Sequence, residues 1–235
     1  MLTIITLNVN CISNAAARIG LVYFLNRHKS DIMFLQECNV EELQSIVSTP
    51  GYLCSSNVIP GDPNARGTAI LWQQNTEPED FRTHEENRMM SCRLENLQLV
   101  NLYAPSGRSR RREREIFYGE TLESVVRTLD QLPIVLGEFN CILENCNALT
   151  NPTQKKSKSL RQVINLYNYV DVFRYLKPNI QSFTFVRNNS ASRLDPIYVR
   201  ADKIQDCLSV NHIAAAFTDH LALGPGSRRR RSSSL

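Results

Sequence analysis

The sequence predicts an α/β domain in which two β-sheets pack on each other and helices flank them. Three observations carry this. The chain has 235 residues, 42% hydrophobic and 21% charged, enough for one large globular core. Short apolar runs bounded by turn residues outnumber the helical stretches between them, the pattern of packed sheets with few crossover helices. No internal repeat is present, and no apolar run approaches the roughly 18 residues of a membrane span.

The elements follow in order. Leu2 to Leu7 reads as a strand and Asn14 to Arg27 as a helix, with Ser13 or Asn14 as N-cap. Ile32 to Gln36 is a short buried strand. Val40 to Val47 is a helix capped by Asn39, with Glu41 and Glu42 in the first turn, where the macrodipole favours acids. Gly67 to Trp72, Met89 to Leu94 and Leu97 to Tyr103 are strands, the last two joined by the tight turn Glu95-Asn96. A long helix spans Arg110 to Leu129, a strand Pro133 to Leu136, and a helix Lys158 to Tyr169. Ser182 to Val186 and Leu194 to Val199 are strands joined by the polar loop 187–192, and Leu208 to Ile213 and Leu221 to Leu223 close the list. Pro196, which lacks a backbone donor, predicts an edge or bulge at its strand. Gly224 to Ser227, four arginines and three serines read as a linker-like basic tail over 224–235.

The net charge of +4 equals the contribution of Arg228 to Arg231 alone, so the body is neutral and any nucleic-acid affinity must come from local clusters. The seven cysteines are odd in number and form no Cys-x-x-Cys pair, which argues against a zinc site and a disulfide framework. The first residues lack a basic region and a cleavage site, so no signal peptide is expected.

The chemistry-bearing residues fall at strand ends. Leu7-Asn8-Val9-Asn10, Leu35-Gln36-Glu37, Asn101 through Ser106 (NLYAPS), Gly137-Glu138-Phe139-Asn140, Ser192 through Asp195 (SRLD) and Thr218-Asp219-His220 each place a polar group at the end of an apolar run. Any one of these is an ordinary cap or loop residue in most proteins. The ordered set resembles the exonuclease–endonuclease–phosphatase superfamily. Within it, the sequence is most similar to the endonucleases of LINE-type (non-LTR) retrotransposons, relatives of abasic-site endonucleases. Ser182-Phe183-Thr184-Phe185 is similar to the Ser-x-Thr-Trp of that group.

The resemblance implies a four-layer α/β/β/α sandwich over residues 1–223. It implies an endonuclease that nicks one strand of double-stranded DNA, leaving a 3′-OH to prime reverse transcription. Mg²⁺ or Mn²⁺ is the implied cofactor, with Glu37 as first ligand and Asn8 and Asp219 in support. His220 is the implied catalytic histidine, oriented by Asp195, and Tyr103 and Asn140 hold the scissile phosphate. A reverse transcriptase domain in the full-length protein, nuclear action, a monomeric state and no membrane association go with this reading.

Glu138 departs from the family's Gly-Asp-x-Asn by one methylene. Misplacement on the order of an ångström costs about 10²-fold in rate. The expectation is therefore a damaged acid whose repair by Glu138→Asp raises turnover. The alternatives are a catalytically weakened or dead DNA-binding copy, and an abasic-site or other phosphodiesterase of the same fold.

For DNA contacts, Arg108, Arg110, Arg111 and Arg112 crowd the start of the long helix, as a phosphate clamp or as a solvated face balanced by Glu113 and Glu115. Thr184, Asn188, Asn189 and Arg193 belong to the 182–195 hairpin, which can enter a groove. Arg193 is expected to reach phosphate or the minor groove. Arg228 to Arg231 read equally as a nuclear-localisation patch or as a frame-shifted tail.

Overall fold

A computed structural model describes residues 2–62 and 66–227. The side chains of Asn39, Glu41 and Glu42, and with them the expected cap and first-turn acids, lie outside what is described, as do the tail arginines Arg228 to Arg231. One six-stranded sheet has the order β13-β14-β1-β2-β4-β3 and a second has β5-β6-β7-β8-β12-β9. The first sheet contains β1 (Leu2–Asn8), β2 (Ile32–Asn39), β3 (Tyr52–Val58), β4 (Arg66–Gln73), β13 (Cys207–Ala214) and β14 (Leu221–Ser227). The second contains β5 (Glu79–His84), β6 (Met89–Leu94), β7 (Leu97–Tyr103), β8 (Ile134–Glu138), β9 (Tyr169–Asp171) and β12 (Ile197–Arg200). A separate hairpin pairs β10 (Phe185–Arg187) with β11 (Ser190–Ser192).

The four layers follow from side-chain alternation. Leu2 and Ile4 of β1, Ile32 and Phe34 of β2, Leu99 of β7 and Leu136 of β8 point into the seam between the sheets. Their neighbours Ile5, Leu7, Met33 and Leu35 pack outward on Leu21 and Leu25 of α1 (Ala15–His28) and Leu43 of α2 (Val40–Ser48). Val100, Leu102 and Val135 pack outward on the opposite face, against α4 (Glu123–Thr128), α6 (Lys158–Leu166) and the segment that joins α3 (Arg111–Ile116) to α4. α3 and α4 are one expected helix interrupted by a π-helical stretch, Phe117–Leu122, that buries Phe117, Tyr118 and Leu122. Asn14 caps α1, its side chain accepting from Ala17 N at 2.8 Å. Ser157 caps α6, which stops at Leu166, short of the expected Tyr169.

Several expectations change. The polar loop 187–192 is itself β-structure, folded into the β10–β11 hairpin. Pro196 marks neither an edge nor a bulge: β12 begins one residue later and lies inside its sheet, between β8 and β9, because Pro196 precedes the ladder and needs no partner. Gly224 to Ser227 do not leave as a linker, since β14 runs on through Ser227, paired with β1 and β13. β3, β5, β9, α5 (Pro152–Lys155) and α7 (Val172–Leu176) were not expected from the sequence. Among the described residues, no helix is long and apolar enough to cross a membrane.

Candidate active site

The alternation that builds the seam also delivers the site. Asn8 continues the inward face of β1 past Ile4 and Thr6, Tyr103 that of β7 past Leu99 and Asn101, and Glu138 that of β8 past Leu136. All three therefore emerge at one mouth of the inter-sheet seam. β7 and β8 run parallel with Tyr103 beside Glu138. Glu37 needs a further device. A bulge between Gln36 and Cys38, with Glu37 at φ +55°, re-aims its side chain toward Asn8.

Asn8 is the hub. Its Nδ2 donates to Glu37 Oε1 at 3.1 Å and to Glu138 Oε2 at 2.6 Å, and its Oδ1 accepts from Asn10 N at 2.7 Å. Asn10 Nδ2 donates to Asp219 Oδ1 at 2.9 Å, bringing a third carboxylate to the same mouth. Arg66 Nη1 lies 3.2 Å from Glu37 Oε2 while its other nitrogens grip Asp62. Neither Asn10 nor Arg66 was assigned a role from sequence. Asn10 had a signal in its place within the LNVN motif, whereas Arg66 had none.

The histidine is held as expected. His220 Nδ1 lies 3.0 Å from Asp195 Oδ2, and its Nε2 lies 3.8 Å from Glu138 Oε1. A carboxylate only accepts, so Nδ1 carries a proton and Nε2 faces Glu138. Burial works against charge on His220, but Asp195, by charge and hydrogen bond, and Glu138 outweigh it and hold the imidazole up to about 10. Burial pushes Glu138 up to about 8; His220 pulls it down, and the charges of Glu37 and Asp195 push it up. Burial, then Glu37 and Glu138, raise the Tyr103 phenol, so it remains a donor. Asn140 sits at φ +51°, lines the cleft, and donates one Nδ2 hydrogen to Ala104 O at 3.0 Å.

Glu138 cannot shift by backbone adjustment. Gly137 sits at φ +128°, where a Cβ would stand 2.1 Å from Leu102 O, so the strand is pinned against β7. With the backbone fixed, the glutamate side chain still bonds Asn8 and reaches His220. The geometry favours a fitted acid over the damaged one expected from the family pattern.

Asn10, Glu37, Glu138, Asn140, Asp219 and His220 floor a cleft of about 620 Å³ whose cationic lining comes from Arg66, Arg108, Arg111, Arg114, Lys155 and Arg187. The expected DNA contacts divide here. Arg108 and Arg111 line the cleft, whereas Arg110 is tied to Glu113 at 2.6 Å and neither it nor the exposed Arg112 lines it. Asn188 and Asn189 form the exposed hairpin turn, outside the lining. Two expectations are corrected. Arg193 reaches no groove: it is 2% exposed, paired with Asp171, bonded to Asn147 Oδ1 at 3.3 Å and stacked 5.4 Å over Phe173. Thr184 is fully buried beneath the site: its hydroxyl donates to Asp195 Oδ2 and accepts from Leu194 N at 2.9 Å, so it orients the carboxylate that orients His220. Arg193 is claimed by Asp171 and Asn147 from other segments, and Thr184 by the far end of its own hairpin, before solvent can reach either.

Among the described residues, no three His, Cys, Asp or Glu side chains converge tightly enough to enclose an ion by themselves. The donors nevertheless suit a hard divalent cation. All are oxygens, and Mg²⁺ commonly takes one or two carboxylates and keeps its waters. The upward push on Glu138 from Glu37 and Asp195 marks an excess of buried negative charge that a cation would relieve.

The comparisons agree with this geometry. The chain is 28% identical, over 93% of its length, to the Transposon TX1 uncharacterized 149 kDa protein of Xenopus laevis, and spans 17% of that protein. Its fold superposes on an AP endonuclease from Archaeoglobus fulgidus with TM-score 0.80 at 22% identity, covering 97% of this chain and 99% of that one. It superposes on the 3′ phosphatase NExo from Neisseria, bound to product DNA hairpin, with TM-score 0.79 at 16% identity, covering 97% and 100%. Residues 5–220 match the Endonuclease/Exonuclease/phosphatase family, and the chain belongs to it.

Proposed function

We propose that this domain is a divalent-metal-dependent endonuclease of a LINE-type retrotransposon. In this reading it nicks one strand of double-stranded DNA and leaves a 3′-OH from which reverse transcription is primed. The observation that carries it is the buried relay Asp195–His220···Glu138 beside Glu37, on the floor of a cation-lined cleft. The transposon relative supports the biological setting, and a reverse transcriptase segment elsewhere in the protein, a monomeric domain and work in the nucleus belong to the same proposal.

Hydrolysis of a phosphodiester requires a positioned water, neutralised phosphate charge and help for the leaving oxygen. Glu37, supported by Asn8 and Asp219, would hold the cation, which supplies charge neutralisation when bound. Tyr103 and Asn140 offer a phenol and an amide to the phosphate oxygens without adding competing charge. His220 and Glu138 stand close enough to pass a proton once a substrate oxygen sits between them, and Asp195, steadied by Thr184, fixes the imidazole.

Purified protein incubated with supercoiled plasmid and Mg²⁺ or Mn²⁺ tests the reading. Nicked circles whose breaks prime a polymerase directly, and which vanish in EDTA, are expected. DNA binding with no nicking in either metal would replace the proposal with a dead DNA-binding copy. Cleavage confined to abasic sites would replace it with a repair enzyme.

A further inference from the structure

Lys155 lines the cleft and, among the described residues, its ammonium donates to neutral hydroxyls. Its Nζ donates to Ser192 Oγ at 2.7 Å and Ser190 Oγ at 3.1 Å, and Thr150 Oγ1 lies 3.3 Å from that same Ser190 oxygen. Among the described residues no carboxylate stands within ion-pair distance of it. By contrast, Arg66 pairs with Glu37 and Asp62. Burial lowers the Lys155 pKa, the mark of a cation with part of its hydration removed and no anion in return.

The position is built. Ile142 N donates to Lys155 O at 3.0 Å, and Ile142 follows Asn140 by two residues, so the lysine backbone is tied to the chain leaving the catalytic floor. Leu149 N donates to Ala191 O at 2.9 Å, and Ala148 bridges Ser192, so the 148–155 segment lies along β11. The other side of the hairpin is bound to the catalytic histidine. Phe185 bridges His220, their rings 5.0 Å apart, and Leu221 N donates to Thr184 O at 2.7 Å. One cation and two hydroxyls thus face the cleft from a hairpin fixed to His220.

We propose that Lys155, with Ser190 and Ser192, forms a second phosphate-binding site in the cleft, which takes a backbone phosphate of the DNA flanking the scissile one. The inference rests on the reading that this cleft binds DNA. A phosphate oxygen accepts from the ammonium and from the hydroxyls that the ammonium now occupies, and it supplies the missing counter-charge. Such a contact is independent of base sequence and fixes register.

Salt titration of duplex binding by fluorescence anisotropy, with the whole chain in EDTA to prevent cleavage, tests this. Lys155→Gln retains an amide donor for Ser192 but removes the charge. It should weaken binding to unrelated sequences alike and lower the log–log salt slope by about one. Lys155→Arg should restore the slope, and Lys203→Gln, on the exposed turn after β12, should match wild type. Ser190→Ala should weaken binding without altering the slope. A salt-dependent wild type whose slope is unchanged in a folded Lys155→Gln protein would make Lys155 a hairpin strut. The inference would then fall while DNA binding stood. A wild type with no salt-dependent DNA binding would remove both.

Discussion

The floor of the cleft and its lining are built on opposite rules. The floor is acidic, buried and carried on strand ends: Asn8, Tyr103 and Glu138 are placed by the alternation of β1, β7 and β8, and Glu37 by the bulge in β2. The lining is cationic and carried on a loop, the ends of two short helices and a small hairpin, which supply Arg108, Arg111, Lys155 and Arg187 outside the two main sheets. The difference teaches where a single substitution acts. On the floor a change should alter chemistry and leave binding intact. In the lining it should alter binding or stability and leave the chemical step intact.

The sharpest way to break that contrast is to remove floor residues. Glu37→Ala and His220→Ala should each lower nicking by at least about 10³-fold with the circular dichroism spectrum unchanged. Near-normal nicking by either folded variant would dissolve the floor as a catalytic unit. Next in size is Arg193, which the contrast treats as structural. Arg193→Ala leaves Asp171 and Asn147 without their buried cation and should cost about 3–5 kcal/mol, read as a lower midpoint in thermal or urea unfolding. A stable variant with weakened DNA binding would return Arg193 to the DNA surface.

Glu138→Asp is the intermediate case. The pinned backbone at Gly137 means that a shorter acid retracts from Asn8 and His220. Single-turnover nicking should fall by about 10²-fold while duplex affinity holds. A faster Asp variant would show that glutamate is the misfit. Smaller again, Arg108→Gln with Arg111→Gln should lower the salt slope of binding by about two, and Arg112→Gln should leave it unchanged. Equal effects from all three would make the cluster one undivided face.

The smallest effect concerns pH. Burial and then Arg193 hold His212 down to about 4, from an ordinary value near 6.5, where it stacks on Phe173 beside Ser182. The fold prefers the neutral ring. Its contribution is therefore present above about pH 6.5 and is lost as pH falls toward 4, because the unfolded chain binds the proton more readily. For a partly exposed ring this amounts to roughly 1 kcal/mol at pH 5 after solvent screening. His212→Phe should flatten the decline in melting temperature between pH 7 and 5, and an unchanged profile would place the acid sensitivity elsewhere.

The same contrast sets what could be read from sequence. Asn8, Tyr103 and Glu138 stand in motifs at or just past strand ends, so they were legible as one set through the family resemblance, and the Asp195–His220 pairing followed in the same way. Glu37 was legible as a residue but not in its aim, which depends on a bulge. The lining was not legible, because the fate of an arginine on a loop is decided by what arrives from far away. Arg193 meets Asp171 and Asn147 and is buried, and Arg114 is spent on the Pro105 and Gly107 carbonyls. Arg111 and Arg114, three residues apart on the same helix, both line the cleft, yet Arg114 is buried and Arg111 exposed. No local pattern separates them.

Asn101 has a consequence of a different kind. It stands inside the seam, donating to Leu35 O at 3.0 Å and Ala69 O at 3.1 Å on the opposite sheet and accepting from Gln36 Nε2 at 2.7 Å. One sheet is assembled from both ends of the chain and brings Asn8, Glu37 and His220; the other comes from the middle and brings Tyr103 and Glu138. Two greasy surfaces can slide by an ångström at little cost, whereas three directional bonds cannot. Asn101 therefore acts as a dowel between two separately machined plates. A lineage that traded it for leucine would keep a well-packed domain, yet its two half-sites would meet in many alignments, only a few of them able to cut.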